Sequence, residues 1–141
     1  MICRRLPGLA LLLPLVACAG LGSGEAPACG TGSGVFMRIY TLFFGRAVRE
    51  GGLVTDWDWA SFRDTVITPN LPDGYTVLDA DGAWASPVGG RTINERTKML
   101  VVALPDRAAS QTAIDQVRAA YRTRFHQQLV GMIVQPGCAS F

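Results

Sequence analysis

The stretch Val35–Phe44 (VFMRIYTLFF) constrains this chain most, because it is strand-forming and apolar on both of its sides. β-Branched and aromatic residues dominate it, and Gly45 closes it. Strand side chains alternate, so Arg38, Tyr40, Leu42 and Phe44 share one side while Met37, Ile39, Thr41 and Phe43 share the other. A later run, Met99–Leu104, is apolar at every position and makes the same demand. Continuous apolar strands imply burial on both faces, so a sheet holding these two has to be covered twice.

The hydrophobic period switches to that of a helix twice. Arg46–Val54, with Gly51-Gly52, reads as a loop. Thr55 then stands where an N-cap belongs, with Asp58 three residues on approximating a capping box. Trp59, Phe62 and Val66 recur on one helical face. Thr68-Pro69 is expected to stop that helix, since the residue before proline disfavours the α region. Gly74–Ser86 reads as the second strand, with Asp81-Gly82 as the place for a bulge, and Pro87–Gly90 as a hairpin tip. Arg91–Leu104 returns as the third strand, and Trp84 with Ile93 reads as packing within that hairpin. Asp106–Gln127 is a long helix with Ile114, Val117, Tyr121 and Phe125 inward and Arg118 and Arg122 outward, and Leu129–Gln135 is the last strand. The order β-α-β-β-α-β predicts an α+β domain of the ferredoxin-like class, a four-stranded antiparallel sheet with two helices on one face.

That topology sets the start of the first strand beside the end of the last. Cys29 precedes the former and Cys138 follows the latter, which predicts a Cys29–Cys138 disulfide in an oxidising compartment. Closing so long a loop is worth up to roughly 4.7 kcal/mol in the chain-entropy account.

The first residues carry an address. Met1–Arg5 is a positive n-region and Leu6–Val16 an apolar stretch of h-region length, too short for a transmembrane helix. Leu15-Val16-Ala17-Cys18 resembles the lipobox of bacterial lipoproteins, whose cysteine is acylated and becomes the new N-terminus. The competing reading is ordinary secretion after Ala17-Cys18-Ala19. The lipobox reading divides the chain into a signal peptide (1–17), a lipid-anchored tether (18–34) and one domain (35–141). Ala19 after the cysteine, where an aspartate would favour inner-membrane retention, points to the periplasmic face of the outer membrane. The Gly-, Ala- and Ser-rich tether would hold the domain about 20–24 Å from the bilayer. Its Gly30-Thr31-Gly32-Ser33-Gly34 precedes a strand rather than opening a helix, so it is not a phosphate-binding loop.

Charge and composition exclude several functions. The net charge is +2, and Arg4 and Arg5 account for all of it, so the exported part is neutral and has no electrostatic footprint for nucleic acid. His126 is the only histidine and no Cys/His cluster exists, so neither a metal nor another cofactor is expected. No G-x-S-x-G occurs, and no catalytic residue stands out. The best candidate pocket is on the sheet. Arg38 and Tyr40 on the first strand, with Asp79, Glu95 and Lys98 on the neighbouring hairpin, can line an anion-accepting site if their face is free of helices. The competing reading is an Arg–carboxylate pair that stabilises the sheet or a subunit contact.

From Tyr40 onward the chain resembles a bacterial family known as domain of unknown function 3574. The resemblance is carried by Leu42-Phe43-Phe44-Gly45, by Trp59 and Phe62, and by Thr68-Pro69. Asp73-Gly74-Tyr75-Thr76-Val77-Leu78-Asp79-Ala80, Gly82-Ala83-Trp84, Arg118, Tyr121 and Phe125 extend it. It implies a lipoprotein or secreted context and no established activity. Two functions are therefore expected. The first is a non-catalytic envelope module binding a small ligand or partner, with a homodimer through the uncovered sheet face as one arrangement. The alternative is a cofactor-independent small-molecule enzyme with a pocket near Arg38 and Tyr40.

Overall fold

The computed structural model describes residues 29–30, 34–48, 51–85 and 89–141. The expected signal peptide, Cys18 and most of the expected tether lie outside the described residues, as do Pro87 and Val88 of the hairpin tip. Strands β1 (Val35–Gly45), β2 (Thr76–Ala85), β3 (Thr92–Leu104) and β4 (Gly131–Ala139) form one sheet in the order β2-β3-β1-β4. Every neighbouring pair is antiparallel. The helical layer comprises α1 (Asp56–Phe62), a π-helical stretch (Arg63–Ile67), α2 (Thr68–Asn70) and α3 (Ala108–Arg124). This is the ferredoxin-like arrangement.

One side of the sheet meets the helices. Tyr40, Leu42 and Phe44 of β1 and Leu100, Val102 and Leu104 of β3 are buried against Trp59, Phe62, Ile67, Ile114, Val117 and Tyr121. At the centre Phe44 meets Tyr121 edge-on at 4.8 Å and Trp59 at 5.2 Å, and Phe62 meets Tyr121 at 5.1 Å. Such geometries add to the area term that dominates aromatic burial.

The helix start follows the sequence signal in full. Thr55 Oγ1 accepts from the Asp58 amide at 3.1 Å, and the Asp58 carboxylate accepts from the Thr55 amide at 3.0 Å. The expected stop at Thr68-Pro69 does not occur. The chain runs through Pro69 without leaving helical geometry, because the turn before it widens and the Thr68 amide bonds back to the Arg63 carbonyl. A proline ring strikes the carbonyl four residues back in a regular α-helix, and the wider π turn relieves that contact. The Asp81-Gly82 bulge is also absent: β2 and β3 pair without a slip from Thr76↔Val101 to Ala85↔Thr92, with Trp84 opposite Ile93. The last strand runs beyond Gln135 through Pro136 to Ala139, and Pro136 is tolerated because β4 is an edge. Arg118 does not point outward; its guanidinium turns back to the Val130 carbonyl at 3.1 Å.

A disulfide joins Cys29 to Cys138, whose Cα atoms are 5.8 Å apart. It ties the chain before β1 to the end of β4. His126 follows the last helix in the left-handed region (φ 52°), and the Gln127 amide bonds to the Arg122 carbonyl, closing a Schellman-type end.

Candidate functional site

Of the five residues predicted to share a pocket, only Asp79 and Lys98 form an ion pair with each other. The register places Arg38, Tyr40, Asp79 and Lys98 on the helix-covered side and Glu95 on the other. Tyr40 is a core residue, 2% exposed, with its hydroxyl donating to Gln111 Oε1 at 3.3 Å; burial pushes its pKa up. Arg38 sits at the sheet end where β1 begins and pairs with Asp106 at 2.8 Å. Lys98 lies opposite Phe44 and Arg38 opposite Leu104, six residues apart along β3, which is about 20 Å. The expected anion pocket is therefore filled by core at one point and divided by distance at the others. A shallow hollow of about 230 Å³ on the outward side of α3, lined by Ala119, Arg122, Thr123 and Gln127, includes none of these residues.

At the opposite end of the covered side is a charged cluster that was only half legible. Lys98, nearly buried, contacts both Asp79 and Asp56. Arg46, 1% exposed, donates through Nε to the Val54 carbonyl at 2.7 Å and lies 3.0 Å from Asp56 through Nη1. That second contact is not aligned for a hydrogen bond, so its attraction is coulombic. Asp56 is held below the ordinary carboxylate range by the hydrogen bond from Lys98 first and the Arg46 charge second. Two cations contact two carboxylates here, and Arg96 adds its charge near Asp56. It clamps the loop after β1, the start of α1 and the β2–β3 hairpin. Arg46 was missed because it follows a strand-ending glycine and reads as the first loop residue. Only the pairing of strands shows that it continues the covered side of β1.

The side of the sheet that no described residue covers is the more unusual surface. It presents Met37, Ile39, Thr41 and Phe43 of β1, Met99, Val101 and Ala103 of β3, Thr76, Leu78, Ala80 and Trp84 of β2, and Ile133 of β4. Leu78, Trp84, Ile93 and Ile133 are 40–48% exposed. Of the six charged strand residues, Arg38, Asp79, Asp81, Arg96 and Lys98 have the register of the helix side, and only Glu95 is on the open one. Even Glu95 folds back, its carboxylate over Gly45 and reaching the Ala47 amide at 3.4 Å. Glycines keep this surface low. Ile39 lies across Gly137, Phe43 across Gly131 and Trp84 across Gly82; a Cβ would strike Ile39 and Trp84 and crowd Phe43. The loop after β1 does not cover this side; among the described residues it turns the other way. Val54 enters the helix-side core and the Ala47 carbonyl accepts from Gln127 at 2.8 Å.

The fold and this surface define a small α+β domain with one finished face and one bare apolar face. The family profile "Protein of unknown function (DUF3574)" matches residues 39–141, and the chain belongs to that family. No curated protein matches the sequence. Among solved structures, a phage SAM lyase in complex with S-methyl-5'-thioadenosine superposes with a TM-score of 0.55 at 14% identity, covering 73% of this chain and 90% of that one. The phage SAM lyase in its apo state gives 0.52 at 15% identity over 82% and 98%. CutA from Synechococcus elongatus gives 0.50 at 9% identity over 77% and 83%. At such identities the likeness is one of fold.

Proposed function

We propose that this chain is a lipid-anchored protein of the bacterial envelope that works as a non-catalytic module, docking a protein partner through its open sheet face. The observation that carries the reading is the near absence of charge on that face, while the same strands turn their charges toward the helices. Antiparallel sheets with one free face ordinarily solvate it with polar side chains, and broad apolar patches on soluble domains mark interaction surfaces. A small-ligand or enzymatic role near Arg38 and Tyr40 is disfavoured because Tyr40 is packed into the core.

The address rests on Leu15-Val16-Ala17-Cys18 and is supported by the disulfide, which uses Cys29 and Cys138 and suits an oxidising compartment. The bond also ties Cys29 to the sheet, leaving residues 19–28 as the span between anchor and domain. A flexible chain of that length reaches about 16–19 Å. The reading places the domain at the periplasmic face of the outer membrane.

Both halves are tested on the full chain in its own envelope. Labelled palmitate should enter the wild type and fail to enter Cys18→Ala. A photo-crosslinking amino acid at Thr41, central on the open face, should yield a discrete protein adduct, whereas the same group at Arg122 on α3 should not. Labelling of Cys18→Ala refutes the anchor, and a Thr41 position that captures nothing refutes the docking face.

A further inference from the structure

Resting on the docking reading above, we infer that the occupant of the open sheet face is a second copy of this chain, stacked face to face with its strands running in the same direction. Three observations converge on it. The first is area. Four strands about 4.8 Å apart and about ten residues long outline a face of roughly 600 Å². Two such faces together reach roughly 1,200 Å², the lower end of a standard stable interface.

The second is shape. The face is low where Ile39, Phe43 and Trp84 lie across glycines, and two sheet faces pack at about 10 Å as in a sandwich. It is also lopsided. Leu78 and Ile93 stand proud on the β2–β3 side, whereas β4 has Ile133 as its one large side chain between Gly131 and Gly137. A two-fold axis running along the strands sets β4 of one copy over β2 of the other, so the low edge receives the high one. An axis across the strands would stack β2 on β2 and leave the glycine edges facing each other across a gap. The single charge on this side, Glu95, is folded onto the backbone and adds little like-charge penalty to self-pairing, and Pro136 discourages the competing edge-to-edge contact through β4.

The third is the disulfide, which delivers the chain from the N-terminal side at the sheet end where β1 begins. Two copies anchored in one membrane must both present that end to it. Only the strand-parallel axis does so. The axis chosen by shape is thus the one that the anchor requires, and confinement to a membrane raises the effective concentration of the copies.

The test is sedimentation equilibrium of the full lipidated chain in density-matched detergent, followed by cross-linking. A mass of two protomers is expected. Ile133→Glu and Leu78→Glu, both at positions exposed in the single chain, should raise the dimer Kd by at least about tenfold with the circular dichroism unchanged, since each buries an unpaired charge. Arg122→Glu on the outer side of α3 should leave the mass as it was. Mixing Leu78→Cys and Ile133→Cys chains should give a 78–133 cross-link in excess of 78–78.

A dimer indifferent to both glutamates, or one linked 78–78, overturns the arrangement. A monomer at all concentrations overturns the second copy. If Thr41 then still captures a heavier protein in the envelope, the docking reading stands with a different occupant. If it captures nothing, both fall together.

Discussion

The two faces of this sheet are made from the same four strands and obey opposite rules. The covered face combines a tight aromatic centre with every pairing charge the sheet owns: Arg38 with Asp106 at one end, and Lys98 with Asp79 and Asp56 at the other. The open face has broad aliphatic and aromatic side chains and one glutamate, which is turned inward onto the backbone. A solvated sheet would show the reverse, with charges outward and none beneath the helices. The contrast puts stability at the covered face and leaves the bare one as the proposed docking surface. It also shows that a pair of charged strand residues is weak evidence for a pocket, since here such residues finish the rim of a core.

The largest expected effect that tests the contrast is a matched pair of truncations. Phe62→Ala, at a fully buried position among four other aromatic rings, should cost about 3–5 kcal/mol in chemical denaturation. Ile133→Ala, on the open face, should cost less than about 0.5 kcal/mol in protein dilute enough to be monomeric. Equal costs would break the division of labour. The charged cluster provides the next step. Arg46→Ala leaves the buried Val54 carbonyl without its donor and should cost about 2–3 kcal/mol. Lys98→Met should cost under about 1 kcal/mol, because its carboxylate partners are solvent-exposed and rehydrate. A larger penalty for Lys98 than for Arg46 would mean that the ion pairs, and not the backbone bond, hold the loop.

A pH titration sharpens the comparison further. Burial raises the Tyr121 pKa above its ordinary value, so the native state keeps a proton that the unfolded chain releases. The associated stability is complete below about pH 10 and is lost as pH rises from there toward the folded value. Thermal unfolding from pH 9 to 11.5 should therefore show a falling midpoint. Tyr121→Phe should flatten that fall while costing about 1 kcal/mol at neutral pH through loss of its 2.9 Å bond to the Gly45 carbonyl. An undiminished alkaline slope in Tyr121→Phe would place the titration elsewhere, with Tyr40 the next to examine. The smallest effect concerns the helix end: His126→Gly relieves a left-handed residue and should stabilise by about 0.5–1 kcal/mol. A loss of stability there would show that the only histidine contributes a contact beyond its turn.

Much of the architecture was legible because it depends on periodicity and local chemistry. The Thr55–Asp58 capping box, the alternation of Val35–Phe44 and the inward stripe Ile114, Val117, Tyr121 follow from bonds and spacings within a few residues. The Cys29–Cys138 bond followed as well, since strand order alone brings those positions together. The rule that failed was also local. Thr68-Pro69 should end a helix, yet the preceding turn widens and carries Ile67 and Leu71 into the core, so burial outweighs the proline.

The candidate site was beyond local rules for a specific reason. The alternation of a strand defines two sides but does not say which of them the helices will cover. For β1 the sides are Arg38-Tyr40-Leu42-Phe44 and Met37-Ile39-Thr41-Phe43, and both are apolar enough for a core. Helix packing made the choice. Trp59, Phe62 and Tyr121 close around Phe44, drawing Tyr40 inside and leaving Ile39 and Phe43 outside. Period and composition therefore settled the elements, their order and the crosslink. Only the packed structure decided which face was spent on stability and which was left bare, because that decision is a long-range competition between surfaces of nearly equal hydrophobicity.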